Sequence, residues 1–141
     1  MIRKKTASEI VGDIIALIRD SELAASVSGE IYREGSRPRD SKAEDISVIF
    51  TTGEMGQMQD GVVTINVFVP QIAPFDDGAF VPDSARLEEI EALGQRMVDS
   101  WTADRSDYRF TQNGTIRSQH NDERRESFVV IRLAYRYYSI H

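Results

Sequence analysis

The run Val62-Val63-Thr64-Ile65-Asn66-Val67-Phe68-Val69 constrains this chain more than any other segment. Successive side chains of a strand point to opposite faces, so Val63, Ile65, Val67 and Val69 form one apolar row. Val62, Thr64, Asn66 and Phe68 form a mixed row behind it. Pro70 has no amide to offer a ladder and ends the strand. The first row has to be covered, and candidates to cover it lie on either side.

Upstream, Ile10, Val11, Ile14, Ile15 and Ile18 recur at helical spacing, while Glu9, Asp13, Arg19 and Asp20 sit elsewhere on the cylinder. Thr6 with Glu9 three residues later is a capping box, which predicts a helix from near Ala7 to about Leu23. Downstream, Leu87, Ile90, Leu93, Met97, Val98 and Trp101 share one face of a second helix. Asp83 or Ser84 is its N-cap, and acidic residues in its early turns complement the helix dipole.

The remaining periodicity is that of strands. Glu30-Ile31-Tyr32-Arg33 reads as a short one, followed by a connection rich in turn formers from Gly35 to Ser41. Ile46, Val48 and Phe50 alternate in the next strand, and Gly53 to Gly61 reads as a mobile loop carrying Met55 and Met58. With Val62–Val69 these predict an antiparallel meander. Pro70 to Pro82 has three prolines, Phe75, Phe80 and the pair Asp76-Asp77, and no usable periodicity. Beyond Trp101, Tyr108 and Phe110 alternate, Asn113-Gly114 predicts a tight hairpin, and Thr115 to Ser118 is its return strand. A charged loop, His120 to Glu126, leads to a long strand from Phe128 to Tyr138. Val129, Ile131, Leu133, Tyr135 and Tyr137 share its uncharged face, the one to bury, with Arg132 and Arg136 opposite. The expectation is a single α+β domain over residues 1–141, with two amphipathic helices on a mainly antiparallel sheet in the order α-β-β-β-α-β-β-β.

Composition narrows the chemistry. The chain has 141 residues and 15.9 kDa, enough to bury roughly two-thirds of its extended surface without cross-links. It has no cysteine, hence no disulfide, thiol nucleophile or iron–sulfur cluster. Seventeen Lys and Arg against 23 Asp and Glu leave a net charge of -6, which argues against a binder that works by neutralising phosphates. No apolar run reaches the ~18 residues of a membrane span. Met1-Ile2-Arg3-Lys4-Lys5 opens like a signal peptide but continues amphipathic and acidic, so a soluble cytoplasmic product is expected.

Candidate chemistry is sparse. His120 with Asp122 and Glu123 is the cluster that would bind a metal or move a proton, but adjacent ligands on one loop rarely converge on an ion, and a solvated turn explains them. Asp76, Asp77 and Asp83, and Glu88, Glu89 and Glu91, lack the apolar pocket that separates the pKa values of catalytic carboxylates. Ser47 and Ser100 sit in no nucleophile-elbow pattern. Arg37, Arg39, Lys42, Arg124 and Arg125, with the tyrosines at 135, 137 and 138, are what an RNA-binding sheet uses, but interleaved acids break the basic stripe. Met55, Met58, Phe75 and Phe80 stand apart as apolar loop residues, which makes them candidate interface residues. No catalytic residue, cofactor or metal site is expected.

In its order of elements the sequence resembles the phage tail-terminator or tail-completion (head–tail joining) family. The resemblance rests on the first helix, on Ser28-Gly29-Glu30-Ile31-Tyr32-Arg33, which is similar to the family's early Gly-x-aliphatic-Tyr strand, and on Asn66-Val67-Phe68-Val69 before the helix at Leu87 to Trp101. It implies a non-enzymatic subunit of a homo-oligomeric ring, commonly a hexamer. Such a ring contacts tail-tube and head-connector proteins, in the host cytoplasm during virion assembly and then in the virion, with no specific nucleic acid and no membrane. The alternatives are a small-molecule or peptide-binding module with the 70–82 loop over a pocket, and a metal-assisted hydrolase that depends on His120.

Overall fold

The computed structural model describes residues 4–56, 58–102 and 107–137. The first helix, α1 (Ala7–Arg19), starts as its sequence predicts: the Thr6 hydroxyl accepts from the Glu9 amide and the Glu9 carboxylate accepts from the Thr6 amide. It does not reach Leu23. Ser21 donates its hydroxyl to the Ile18 carbonyl at 2.6 Å and accepts from the Ala24 amide, closing one helix and capping the next, α2 (Glu22–Ser26). A serine offers the backbone partners that compete with helix propagation.

The strands are β1 (Ile31–Arg33), β2 (Ile46–Met55), β3 (Gln59–Pro70), β4 (Tyr108–Gln112), β5 (Arg117–Asn121) and β6 (Glu126–Tyr137), with α3 (Ser84–Trp101) between β3 and β4. They form one mixed sheet in the order β1-β2-β3-β6-β4, with β5 also on β6. The fold is α+β. α1 packs on β2, and α3 on β3, β4, β5 and β6. All five predicted α1 residues are buried, and so are Val63, Ile65, Val67 and Val69 with Val129, Ile131, Leu133, Tyr135 and Tyr137. Fully burying each Ile, Leu or Val contributes ~1.5–3 kcal/mol, so this layer supplies most of the stability. Gly94 brings α3 down onto β6: a Cβ there would lie 2.8 Å from Ile131 Cδ1.

Four expectations need correction. β1 pairs with β2 in parallel, Ile31 opposite Ile46, so β1 to β3 are not an antiparallel meander. Residues 34–45 separate the two strands, and a parallel pair needs a crossover of about that length. The predicted mobile loop from Gly53 to Gly61 is strand to within three residues: β2 and β3 pair out to Met55 opposite Gln59, with a bulge between Phe50 and Thr52. Gly61 is there because a Cβ would lie 2.3 Å from the Thr52 carbonyl oxygen and 2.5 Å from the Tyr135 hydroxyl.

Asn113-Gly114 is not a hairpin turn. β4 and β5 both pair with β6, at Tyr108–Gln112 opposite Leu133–Tyr137 and at Arg117–Asn121 opposite Glu126–Val130. They are two halves of one edge strand, and residues 113–116 bulge out where β6 has only Ile131 and Arg132. Gly114 supplies the positive φ of that bulge, and the reversal comes later, at a 3-10 turn (Asp122–Arg124) closed by Arg125 in the left-handed region. The 70–82 segment, read as structureless, is pinned at both ends: Ile72 and Val81 exchange backbone hydrogen bonds of 2.8 and 2.9 Å.

Candidate functional site

The buried charged groups have structural partners, whereas among the described residues the buried Oδ1 of Asn66 has none. Arg37, on the crossover after β1, lies 3.9 Å above the Phe68 ring. Its guanidinium donates to both carboxylate oxygens of Glu126, at 3.1 and 3.0 Å, and to Asp45 at 2.9 Å. Asp45 and Glu126 are 1% and 5% exposed. Burial pushes the Asp45 carboxyl up, but hydrogen bonds from Ser41, Arg37 and the Glu30 amide outweigh it and hold the group below its usual range. At the other end of the core the Tyr108 hydroxyl donates to Asp13 at 2.6 Å, and Lys5 pairs with the same carboxylate. Burial, then the bond to Asp13, push the Tyr108 phenol far up.

The residues singled out by sequence fall into separate places. His120 is exposed on β5, with Nδ1 2.7 Å from the Ser127 hydroxyl, while Asp122 accepts from the Gln71 amide at 2.8 Å. Among the described residues no three His, Cys, Asp or Glu come together as a metal-holding group, and no helix is long and apolar enough to cross a membrane. Asp83 is the N-cap of α3, as expected, but the first turn carries no acid. It carries Arg86, clamped by Glu44 at 2.7 and 2.8 Å and by Glu89 at 3.0 Å, so Glu89 serves an ion pair as well as the dipole. Glu91 accepts from the Ser118 hydroxyl. Ser47 is buried, and Ser100 donates to the Met97 carbonyl. Arg37 and Arg124 are tied to Glu126, and Tyr135 and Tyr137 are core residues. Tyr138, His141 and the opening Met1-Ile2-Arg3 lie outside the described residues.

Two kinds of surface remain, exposed apolar ends and an open sheet face. Met55 and Met58, 57% and 43% exposed, stand at the far tip of the β2–β3 hairpin. Phe75 and Phe80, 59% and 40% exposed, follow the opposite end of β3, where Arg125 lies 4.1 Å above the Phe80 ring and Gln71 bonds to the Arg125 carbonyl. Twelve residues of β3 separate the pairs, which at ~3.3 Å per residue is roughly 35–40 Å. The structure therefore makes two apolar ends, not one patch.

The second surface is the face of the sheet away from the helices. Its rows follow from the register: Ile49, Thr64 and Arg132; Ser47, Asn66, Val130 and Arg117; Thr52, Val62, Ala134 and Thr111; Glu54, Asp60, Arg136 and Arg109. Arg37 and the half-buried pair Phe68–Phe128, ring centroids 5.8 Å apart, close one end. The aliphatic groups are half-buried and the arginines exposed. Arg136 pairs with Asp60 at 2.7 Å, and among the described residues no carboxylate pairs with Arg109, Arg117 or Arg132. The alternation of Arg132 and Arg136 with Val130 and Ala134 was visible in sequence, but the contribution of Arg109 and Arg117 depends on both edge strands sharing β6.

Among the depressions lined by described residues are four of about 190 to 350 Å³ each. Each has one carboxylate and no histidine in its walls, and none draws a residue from 71–82. Comparison of the chain with protein-family models and with curated proteins finds no match.

Proposed function

We propose that the chain is a non-enzymatic structural subunit of a phage or prophage tail, one member of a homo-oligomeric ring that closes the tail end or joins tail to head. The observation that carries this reading is the placing of its large exposed apolar side chains at the two ends of β3, Met55 and Met58 at one and Ile72, Phe75 and Phe80 at the other. Exposed apolar groups at both ends of a rigid sheet suit a subunit held by its neighbours in the ring as well as by a tail tube and a head connector above and below. The order of elements that resembles tail-completion proteins gives the reading its phage context.

The test is solution mass by light scattering across a concentration series, for the parent chain and for Phe75→Ser/Phe80→Ser. The expected result is a ring-sized assembly that grows in with concentration, and a double variant that stays monomeric with an unchanged far-ultraviolet spectrum. An assembly of the same size in the variant removes Phe75 and Phe80 from the contact. A parent chain monomeric throughout and stabilised by a small ligand or peptide supports the binding-module alternative.

A further inference from the structure

We infer that the open face of the sheet is the surface by which one copy takes up the outer face of helix α3 of the next, in a head-to-tail contact. This rests on the ring reading above and adds, beside the apolar ends, two surfaces that meet between copies. The inference comes from how charge is divided across the fold. The chain is acidic overall, with a net charge of -6, yet the open face exposes Arg109, Arg117, Arg132 and Arg136 among half-buried Val62, Val130 and Ala134. The acids of that face, Asp60 and Glu54 opposite it, sit at one end, the former paired with Arg136, and a further set of exposed acids is on the other side of the molecule. α3 buries Leu87, Ile90, Gly94, Met97, Val98 and Trp101 against the sheet, which turns Glu88, Ala92, Arg96 and Asp99 outward, with Arg96 3.8 Å from Glu22 of α2 and Gln95 bonded to Gln112 of β4. Glu88, Glu89, Ala92 and Asp99 are exposed, and the small Ala92 between the acids lets another backbone layer approach.

The two surfaces lie on opposite sides of a two-layer molecule, so the contact is heterologous. Such contacts close into rings where the rotation between copies permits and run on as filaments where it does not. The size is adequate: from Asp60 to Phe68, across four strands, the open face measures roughly 25 by 20 Å. That projected area is of the same order as the ~800 Å² each partner contributes to a standard interface, once side-chain relief is added. A nucleic acid is the other ligand such arginines suit, but the acidic bulk of the chain opposes it over any length beyond the patch.

Charge reversal separates these cases in the full chain. One variant carries Arg117→Glu and Arg132→Glu, the other Glu88→Arg and Asp99→Arg, and all four positions are exposed. Each variant alone places like charges in the contact, so its assembly midpoint should move to about tenfold or higher concentration. Mixed one to one, each variant's altered face meets its complement and its unaltered face meets the other, so assembly should return. Circular dichroism establishes that both remain folded. If the parent assembles and the mixture stays as dissociated as its components, this contact is wrong while the ring reading stands. A parent that is monomeric at every concentration overturns both. Retention of a labelled single-stranded oligonucleotide that is lost in Arg117→Glu/Arg132→Glu, with assembly unchanged, overturns the inference in favour of nucleic acid.

Discussion

Removing the Arg37 guanidinium would leave two carboxylates, Asp45 and Glu126, buried without their shared cation. Breaking a buried pair from one side costs ~3–5 kcal/mol where the remaining charge is uncompensated, as Asp45 would be, whereas Glu126 keeps Arg124 at 3.1 Å, so Arg37→Ala should lower the urea midpoint by about the equivalent of that one stranded charge. Arg37→Met combined with Asp45→Asn and Glu126→Gln should cost clearly less, since no charge is then stranded. The same group sets a pH dependence. The folded Asp45 carboxyl titrates below its unfolded value of 3.8. Its contribution is therefore present above 3.8 and lost as pH falls through the lower folded value. Urea midpoints recorded from about pH 6 down to about pH 2 should fall less steeply for Asp45→Asn than for the parent, although the variant starts lower. At this scale the sequence was only partly legible. Arg37 looked like one more charge in a polar loop, because its partners lie 8 and 89 residues away.

The β2–β3 hairpin shows how one residue type misleads about an element. Glycine is depleted in strands and marks loops, which is why Gly53 to Gly61 read as a loop. Gly61 instead marks a close approach by the Thr52 carbonyl and the Tyr135 hydroxyl. Gly61→Ala should destabilise the chain by ~1–3 kcal/mol in urea unfolding, with the faster amide exchange confined to residues 52–62, since the backbone oxygen has no side-chain torsion by which to yield. Asn113-Gly114 misled in the other direction. The dipeptide does place a positive φ at Gly114, but a tight turn and an edge-strand bulge both need one, and only the partner strand distinguishes them. The helices were legible almost to the residue because caps and apolar stripes are local signals. The break at Ser21 was the exception, with the cue present in the serine itself.

For the whole molecule, the layer arrangement leaves one sheet face uncovered and two apolar ends far apart, so surface substitutions should alter association without altering the fold. Met55→Ser/Met58→Ser and Phe75→Ser/Phe80→Ser change exposed residues only. Each should shift the thermal midpoint by no more than the equivalent of ~0.5 kcal/mol per site while lowering the assembled fraction in sedimentation velocity. Taken by itself, the sequence determined which residues are core, because periods of two and 3.6 state which side of each strand and helix is apolar, and these choices hold from Ile10 to Tyr137. It likewise determined the α+β class and the caps, which depend on neighbours within four residues. Only the tertiary structure decided strand partners and direction: β1 beside β2 in parallel, and β4 and β5 sharing one edge of β6. Pairing is a contest between distant segments of similar composition, settled by loop lengths, bulges and the total area buried rather than by any local pattern. The arginine-bearing open face depends on that outcome, for its four exposed arginines become one surface only after β4, β5 and β6 have paired.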